Sequence, residues 1–262
     1  MVWKQVPGAA QDIGIGSDDS VWITGGEERE DGFAVYRWTG LGWAEAGGTG
    51  VEIAVTPEGQ PWTVDRTGRI ARCADGGWET LPGRARDIGI GADGSVWIIA
   101  AEDLAEGFNL QRWTGQGWQP DGEIGFDPLP DGTGGVQVAR GLAWINEDGA
   151  SPVAGRHARR IAVESDGRPW VVDDQGDVHR RVHGGWLRLP HAEATDIGIS
   201  AHGCVWIVGS DPRKGGYGIY RWYHGTDWDT LDGAGRRISV LSDGLTWICN
   251  DAGDIFRRHV KC

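Results

Sequence analysis

Asp12-Ile13-Gly14-Ile15-Gly16, followed by Ser20-Val21-Trp22-Ile23, returns twice along the chain. It recurs as Asp87-Ile88-Gly89-Ile90-Gly91 with Ser95-Val96-Trp97-Ile98, and as Asp196-Ile197-Gly198-Ile199 with Val205-Trp206-Ile207. Weaker copies fill the gaps: Ile53-Ala54-Val55 with Gly59-Gln60-Pro61-Trp62, Ile161-Ala162-Val163 with Gly167-Arg168-Pro169-Trp170, and Ile238-Ser239-Val240 with Gly244-Leu245-Thr246-Trp247. The strong copies begin at 12, 87 and 196, gaps of 75 and 109 residues. These divide into two and three periods of about 36–37 residues, the length of a propeller blade. Function is then expected on surfaces shared between repeats.

Each copy reads as short alternating strands broken by glycine-rich turns, without helical periodicity. The first strand carries Ile13 and Ile15 on one side and glycine on the other; Ala54, Ala162 and Ser239 take the first glycine's place in the weaker copies. Such small residues suit an innermost strand, where neighbouring sheets converge. Asp93-Gly94, Asp166-Gly167 and Asp243-Gly244 then turn the chain into the tryptophan-bearing strand. A third strand carries Arg37, Arg72, Arg112, Arg180, Arg221 or Arg257, and an outer strand opens with tryptophan, as in Trp78-Glu79-Thr80-Leu81-Pro82-Gly83.

The ends are out of phase with this unit. The chain begins with an outer strand, Trp3-Lys4-Gln5-Val6-Pro7-Gly8, and finishes after a third strand, Ile255-Phe256-Arg257-Arg258. Joining them completes one blade from both ends and removes exposed sheet edges. The expected fold is therefore all-β, a single closed β-propeller domain over 1–262 with six clear four-stranded blades. Residues 123–157 supply either a degenerate seventh blade, the favoured reading, or a long insertion on a six-bladed ring. The clear units alternate long and short, because three extend the loop between second and third strands, over 25–32, 100–107 and 209–216.

Sixteen tryptophans against one methionine imply stiff aromatic packing between blades. A net charge of −13 argues against nucleic acid or an anionic membrane as the main partner. No window resembles a membrane span, and the N-terminus lacks the basic and apolar segments of a signal peptide. Cytoplasmic residence, or release without a classical signal, is the expectation. Cys73, Cys204, Cys249 and Cys262 lack CxxC spacing; they read as buried or incidental thiols, with a disulfide to Cys262 left open.

The units Trp-x-x-Leu/Val-Pro-Gly, Asp-Ile-Gly-Ile-Gly, Asp-Gly-Ser-Val-Trp and a closing Tyr-Arg-Trp resemble tectonin repeats over nearly the whole chain, apart from 123–157. Tectonin-type proteins are β-propeller lectins of fungi, slime moulds, invertebrates and fish eggs. They bind cell-surface glycans, including bacterial lipopolysaccharide, N-acetylglucosamine and O-methylated sugars. The resemblance implies a multivalent, defensive carbohydrate-binding protein whose partners are glycans on cell surfaces. The rival reading is a protein-interaction scaffold that binds no sugar.

The second-strand tryptophans read as core. Trp43, Trp118 and Trp228 open the outer strands of the long units, and either cover blade edges or stack on a pyranose face. Arg37, Arg112 and Arg221 supply guanidinium forks for sugar hydroxyls, or else stack on neighbouring tryptophans or pair with a blade-edge acid. These six residues are the candidate carbohydrate-binding set, three near-equivalent sites between blades. The position before each first-strand isoleucine is charged in every clear unit (Asp12, Glu52, Asp87, Arg160, Asp196, Arg237), which is best explained by ion pairs between blades around the axis, with a polar channel lining as the other reading. His179 and His183 are not spaced to share a face in strand context, so no metal or other cofactor is expected. Gly-x-Ser-x-Gly, His-Glu-x-x-His and P-loop motifs are absent, and the chain reads as a non-enzyme.

Overall fold

Strands alternating apolar and small residues, joined by Asp-Gly turns, build antiparallel meanders. The computed structural model describes residues 2–75, 77–102, 108–121, 135–137, 144–146, 156–182, 185–223 and 227–260. The first long unit takes the second half of β1 (Lys4–Ile15), then β2 (Val21–Arg29), β3 (Gly32–Trp38) and β4 (Trp43–Gly50). A short unit follows, of β5 (Glu52–Val55), β6 (Pro61–Val64), β7 (Arg69–Ala74) and the first half of β8 (Gly77–Ile90). The rest of β8 joins β9 (Val96–Ala100), β10 (Leu110–Trp113) and β11 (Trp118–Pro120).

β12 (Gly135–Gln137) and β13 (Trp144–Asn146) form a two-stranded sheet; most of the remaining 123–157 segment, the expected seventh blade, lies outside the described residues. The second short unit is β14 (Ala158–Val163), β15 (Pro169–Asp173), β16 (Val178–Val182) and β17 (Gly185–Arg188). The third long unit is β18 (Ala194–Ile199), β19 (Val205–Arg213), β20 (Gly216–Tyr223) and β21 (Asp227–Gly235). Finally β22 (Arg237–Val240), β23 (Leu245–Cys249) and β24 (Asp254–His259) share a sheet with the start of β1, where Lys4, Gln5 and Val6 pair with Arg257, Phe256 and Ile255.

Inner strands meet through one repeated device. The carboxylates of Asp12, Asp87 and Asp196 accept from the backbone amides of Ile53, Ile161 and Ile238 at 2.8, 2.9 and 2.8 Å. Beside the carboxylates of Asp12 and Asp196 the backbones come close enough to crowd a β-carbon. A β-carbon on Gly14 would stand 3.0 Å from the Ile53 carbonyl oxygen, and one on Gly198 2.8 Å from that of Ile238. The glycines of the repeated phrase thus permit blade-to-blade contact.

The charged position of each inner strand forms the predicted ionic ring. Arg160 reaches Glu52 at 2.8 Å, Asp196 at 3.6 Å and Asp87 at 3.8 Å; Arg237 reaches Glu52 at 3.3 Å and Asp12 at 3.4 Å. All four carboxylates are buried. Burial, followed by repulsion from Glu52, pushes Asp12 well above the usual carboxylate range. Burial likewise pushes Asp87 up to about 7 against the attraction of Arg160, and raises Asp196. Three residues further along, Ile15, Val55, Ile90, Val163, Ile199 and Val240 line a narrow space at the other end of the inner strands.

Within the blades, Trp22, Trp62, Trp97, Trp170, Trp206 and Trp247 lie opposite Arg37, Arg72, Arg112, Arg180, Arg221 and Arg257 in the ladders. Five of these guanidinium groups stand over the facing indole, at 5.5 Å for Arg37, 5.4 Å for Arg72, 5.8 Å for Arg180, 5.9 Å for Arg221 and 5.3 Å for Arg257. Each such cation–π contact contributes on the order of 1 kcal/mol. Cys73 and Cys249 are free thiols, whereas Cys204, expected to be an incidental thiol, is disulfide-bonded.

Candidate functional site

Trp43, Trp118 and Trp228 are staples between units. Their indole Nε1 atoms donate to the carbonyls of Pro7, Pro82 and Pro190 at 2.6, 2.7 and 3.2 Å. Each also leans on a strand neighbour: the ring centroids of Trp38 and Trp43, Trp113 and Trp118, and Trp222 and Trp228 are 5.0, 5.0 and 4.9 Å apart. Trp78 and Trp3 repeat the device in short units, donating to the carbonyls of Ala46 and Asp232 at 3.0 and 2.7 Å.

The arginines expected to work beside these tryptophans lie elsewhere. Arg37 faces Ala44 across the β3–β4 ladder, and Trp43 faces Trp38 one residue on. Successive strand residues point to opposite faces, so Arg37 joins Trp22 on one face while Trp43 joins the other. The same offset separates Arg112 from Trp118 and Arg221 from Trp228. Arg221 pairs instead with Asp229 at 2.9 Å. Period-two alternation thus sets the arginine and the tryptophan of each candidate pair on opposite faces of their sheet.

A groove of about 450 Å³ nevertheless opens at Trp228, between the second short and third long units. Its origin is local. In the first two long units the residue after the stapling proline is Gly8 or Gly83, at φ +107° and +87°. A β-carbon there would stand 2.8 Å from Trp43 or 3.1 Å from Trp118, so the main chain lies against the indole. In the third long unit that place is held by His191, still left-handed at φ +55°. The connection to the inner strand is also one residue longer, Pro190-His191-Ala192-Glu193-Ala194 against Pro82-Gly83-Arg84-Ala85. A left-handed non-glycine residue is strained by about 1 kcal/mol or more, a feature that clusters at functional sites.

The groove is lined by Trp228, His191, Arg188, Glu193, Tyr220 and Asp211, among others. Tyr220 donates its hydroxyl to Asp211 at 2.8 Å, and the Arg213 guanidinium holds the same carboxylate at 2.8 Å. Burial pushes the Asp211 carboxyl up, but the Tyr220 hydroxyl and Arg213 outweigh it and hold it below the usual range. Ser210 donates to Glu193 at 2.8 Å across the groove's inner end. The result is a half-buried indole flanked by fixed hydrogen-bonding groups of both polarities.

A second cleft, of about 720 Å³, shares Ser210 with the groove and runs inward to Glu52 and Arg160 of the ionic ring. Beside it, Asp173, Asp177 and His179 bring metal-ligating atoms within 4.8 Å of one another. A cation is already present there. The Arg156 guanidinium lies 3.0 Å from Asp173 and 3.1 Å from Asp177, and Arg188 also pairs with Asp177. His179 contacts Asp173 at 2.9 Å, and its burial lowers the imidazole pKa. His183, the other histidine of the sequence pair, lies outside the described residues.

No family model and no curated protein matches the chain. Solved structures do. A structure of YCF48 bound to D1 peptide has a TM-score of 0.57 at 14 % identity, covering 99 % of this chain and 97 % of that one. Streptogramin B lyase gives 0.56 at 14 % identity, covering 98 % and 96 %. The WD40 β-propeller domain of Doa1 gives 0.55 at 12 % identity, covering 98 % and 94 %. At such identities the likeness carries the fold alone: the chain is a β-propeller.

Proposed function

We propose that this β-propeller is a carbohydrate-binding protein without catalytic activity, taking a sugar ring in the Trp228 groove. The observation that carries the reading is the left-handed His191. It occupies the place where the other long units set a glycine against the indole, and the space beside Trp228 is rimmed by Tyr220, Asp211 and Glu193. A pyranose offers an apolar C–H face to such a ring and hydroxyls to fixed polar groups. Asp211, held ionised by two partners, serves as an acceptor and not as a proton shuttle. The tectonin-like repeats favour the same ligand class, with cell-surface glycans as the natural target and defence as the role.

The ring is read as six-bladed and closed. Support comes from the Asp87 carboxylate on Ile161, which joins the units on either side of the 123–157 segment, and from β1 pairing with β24. One developed groove is favoured over three equivalent ones, because Gly8 and Gly83 press on Trp43 and Trp118.

The competing reading, a protein-interaction scaffold, draws on the size of the inner cleft and the fold likeness to a propeller with a bound peptide. Saturation-transfer NMR against a monosaccharide panel separates the two. The lectin reading expects ring-proton saturation that disappears in Trp228→Ala. A scaffold gives none with any sugar.

A further inference from the structure

Two carboxylates on the wall of the Trp228 groove have no counterpart in the other long units. Ala194, Ala10 and Ala85 hold one ladder position, opposite Gly209, Gly25 and Ala100. The residue before them is Glu193 in the third long unit, but Ala9 and Arg84 in the first two. Likewise Trp228, Trp43 and Trp118 face Trp222, Trp38 and Trp113. The residue before each of these stapling tryptophans is Asp227 in the third unit and a glycine, Gly42 or Gly117, in the others. Both acids line the groove, in the unit that has no glycine pressed against its indole.

Neither charge is neutralised in place. Glu193 accepts from the Ser210 hydroxyl at 2.8 Å, and Asp227 from the Trp228 amide at 2.8 Å, both neutral donors. Among the described residues neither carboxylate has an ion-pair partner. The guanidinium groups nearby are directed at other acids: Arg188 pairs with Asp177, and Arg213 balances Asp211.

A net charge of −13 makes exposed acids common in this chain. Overall charge does not account for their falling at the two positions that flank this indole, where equivalent units carry glycine, alanine or arginine. Two uncompensated carboxylates beside an aromatic face attract an ammonium group. The acids offer charge-assisted hydrogen bonds, and the ring quadrupole adds a cation–π contact. The same wall repels a carboxylate, sulfate or phosphate.

We propose that the Trp228 groove selects a sugar bearing a free, protonated amine, with Glu193 and Asp227 receiving the ammonium and Trp228 the ring. This rests on the carbohydrate reading of the groove.

The test is calorimetric titration of the full chain at about pH 7, where most of such an amine is protonated. The ligands are methyl glucosaminide, methyl glucoside (a hydroxyl in the amine's place) and methyl N-acetylglucosaminide. The wild type should bind the amino sugar roughly tenfold more tightly than either neutral sugar. That preference should shrink as salt is raised from about 50 to about 500 mM. It should fall several-fold in Asp227→Asn and vanish in Glu193→Gln/Asp227→Asn. The first long unit places alanine and glycine at these positions, so the blade folds without either carboxylate. Equal binding of the three sugars by the wild type, or a preference unchanged in both variants, overturns the proposal and leaves the groove reading intact. If no sugar binds, the carbohydrate reading falls, and with it this proposal. Butylammonium bound as tightly as the amino sugar would assign the groove to a cation alone and overturn selection of a sugar.

Discussion

The carboxylate of Asp87 accepts a hydrogen bond from the amide of Ile161 at 2.9 Å, across 74 residues of chain. Asp12 with Ile53 and Asp196 with Ile238 make the same bond across 41 and 42 residues. The long detour between Asp87 and Ile161 therefore leaves the junction between their blades unchanged. Replacing residues 122–155 with a short Gly-Ser linker should preserve a cooperative melt and the strand-type circular dichroism. Asp87→Ala should instead destabilise by about 2–4 kcal/mol, since it orphans a buried amide and deprives Arg160 of a partner. Unfolding of the linker variant in the same measurement would restore the seventh-blade reading.

The ionic ring links stability to pH. In the fold, burial pushes Asp87 up to about 7, whereas the ordinary value is 3.8. Between these values the folded state binds the extra proton, so stability falls as pH rises through that window, by about 1.4 kcal/mol per unit for one fully titrating group. Asp12 and Asp196 are shifted in the same direction. His179, lowered by its burial, works the opposite way in mildly acid solution. Denaturant midpoints at about pH 5 and about pH 8 should show the wild type more stable at the lower pH, with a smaller difference in Asp87→Asn. An unaltered pH dependence in that variant would contradict an origin in the Asp87 carboxyl.

The stapling tryptophans should separate by function. Trp43→Ala and Trp118→Ala each remove a half-buried indole and a hydrogen bond, and should lower stability by about 2–3 kcal/mol. Sugar binding in the folded fraction should be unaffected. Trp228→Ala should lose both stability and binding. Comparable loss of binding in all three would mean three equivalent sites.

His191→Gly tests whether strain at the groove is tied to binding. Glycine relieves the left-handed conformation, and the variant should gain about 0.5–1 kcal/mol in thermal or chemical denaturation. Ligand affinity should fall, because the imidazole leaves the groove wall. Stability gained with affinity unchanged would make His191 incidental to recognition.

Much of this fold is legible in the residues alone. The repeated glycine, tryptophan and arginine positions are local in sequence and carry the strand register directly, down to Trp22 facing Arg37. Charge at the position before each isoleucine foretells the ionic ring. The site is harder to read. Trp43 and Pro7 meet across 36 residues, a contact that no local pattern encodes. Arg37 and Trp43 stand six residues apart, an even spacing that suggests a shared face, but the turn between β3 and β4 resets the alternation and sets them on opposite faces. The signal that marks the groove is visible, since Leu189-Pro190-His191 departs from Leu81-Pro82-Gly83. It gains meaning only once the glycine is seen pressed against an indole.

The most direct test of carbohydrate recognition at Trp228 is a glycan array probed with the wild type and with Trp228→Ala at equal folded concentration. A coherent family of sugars bound by the wild type and lost in the variant is the predicted result. A blank array for the folded wild type, or hits that persist undiminished in Trp228→Ala, would contradict it.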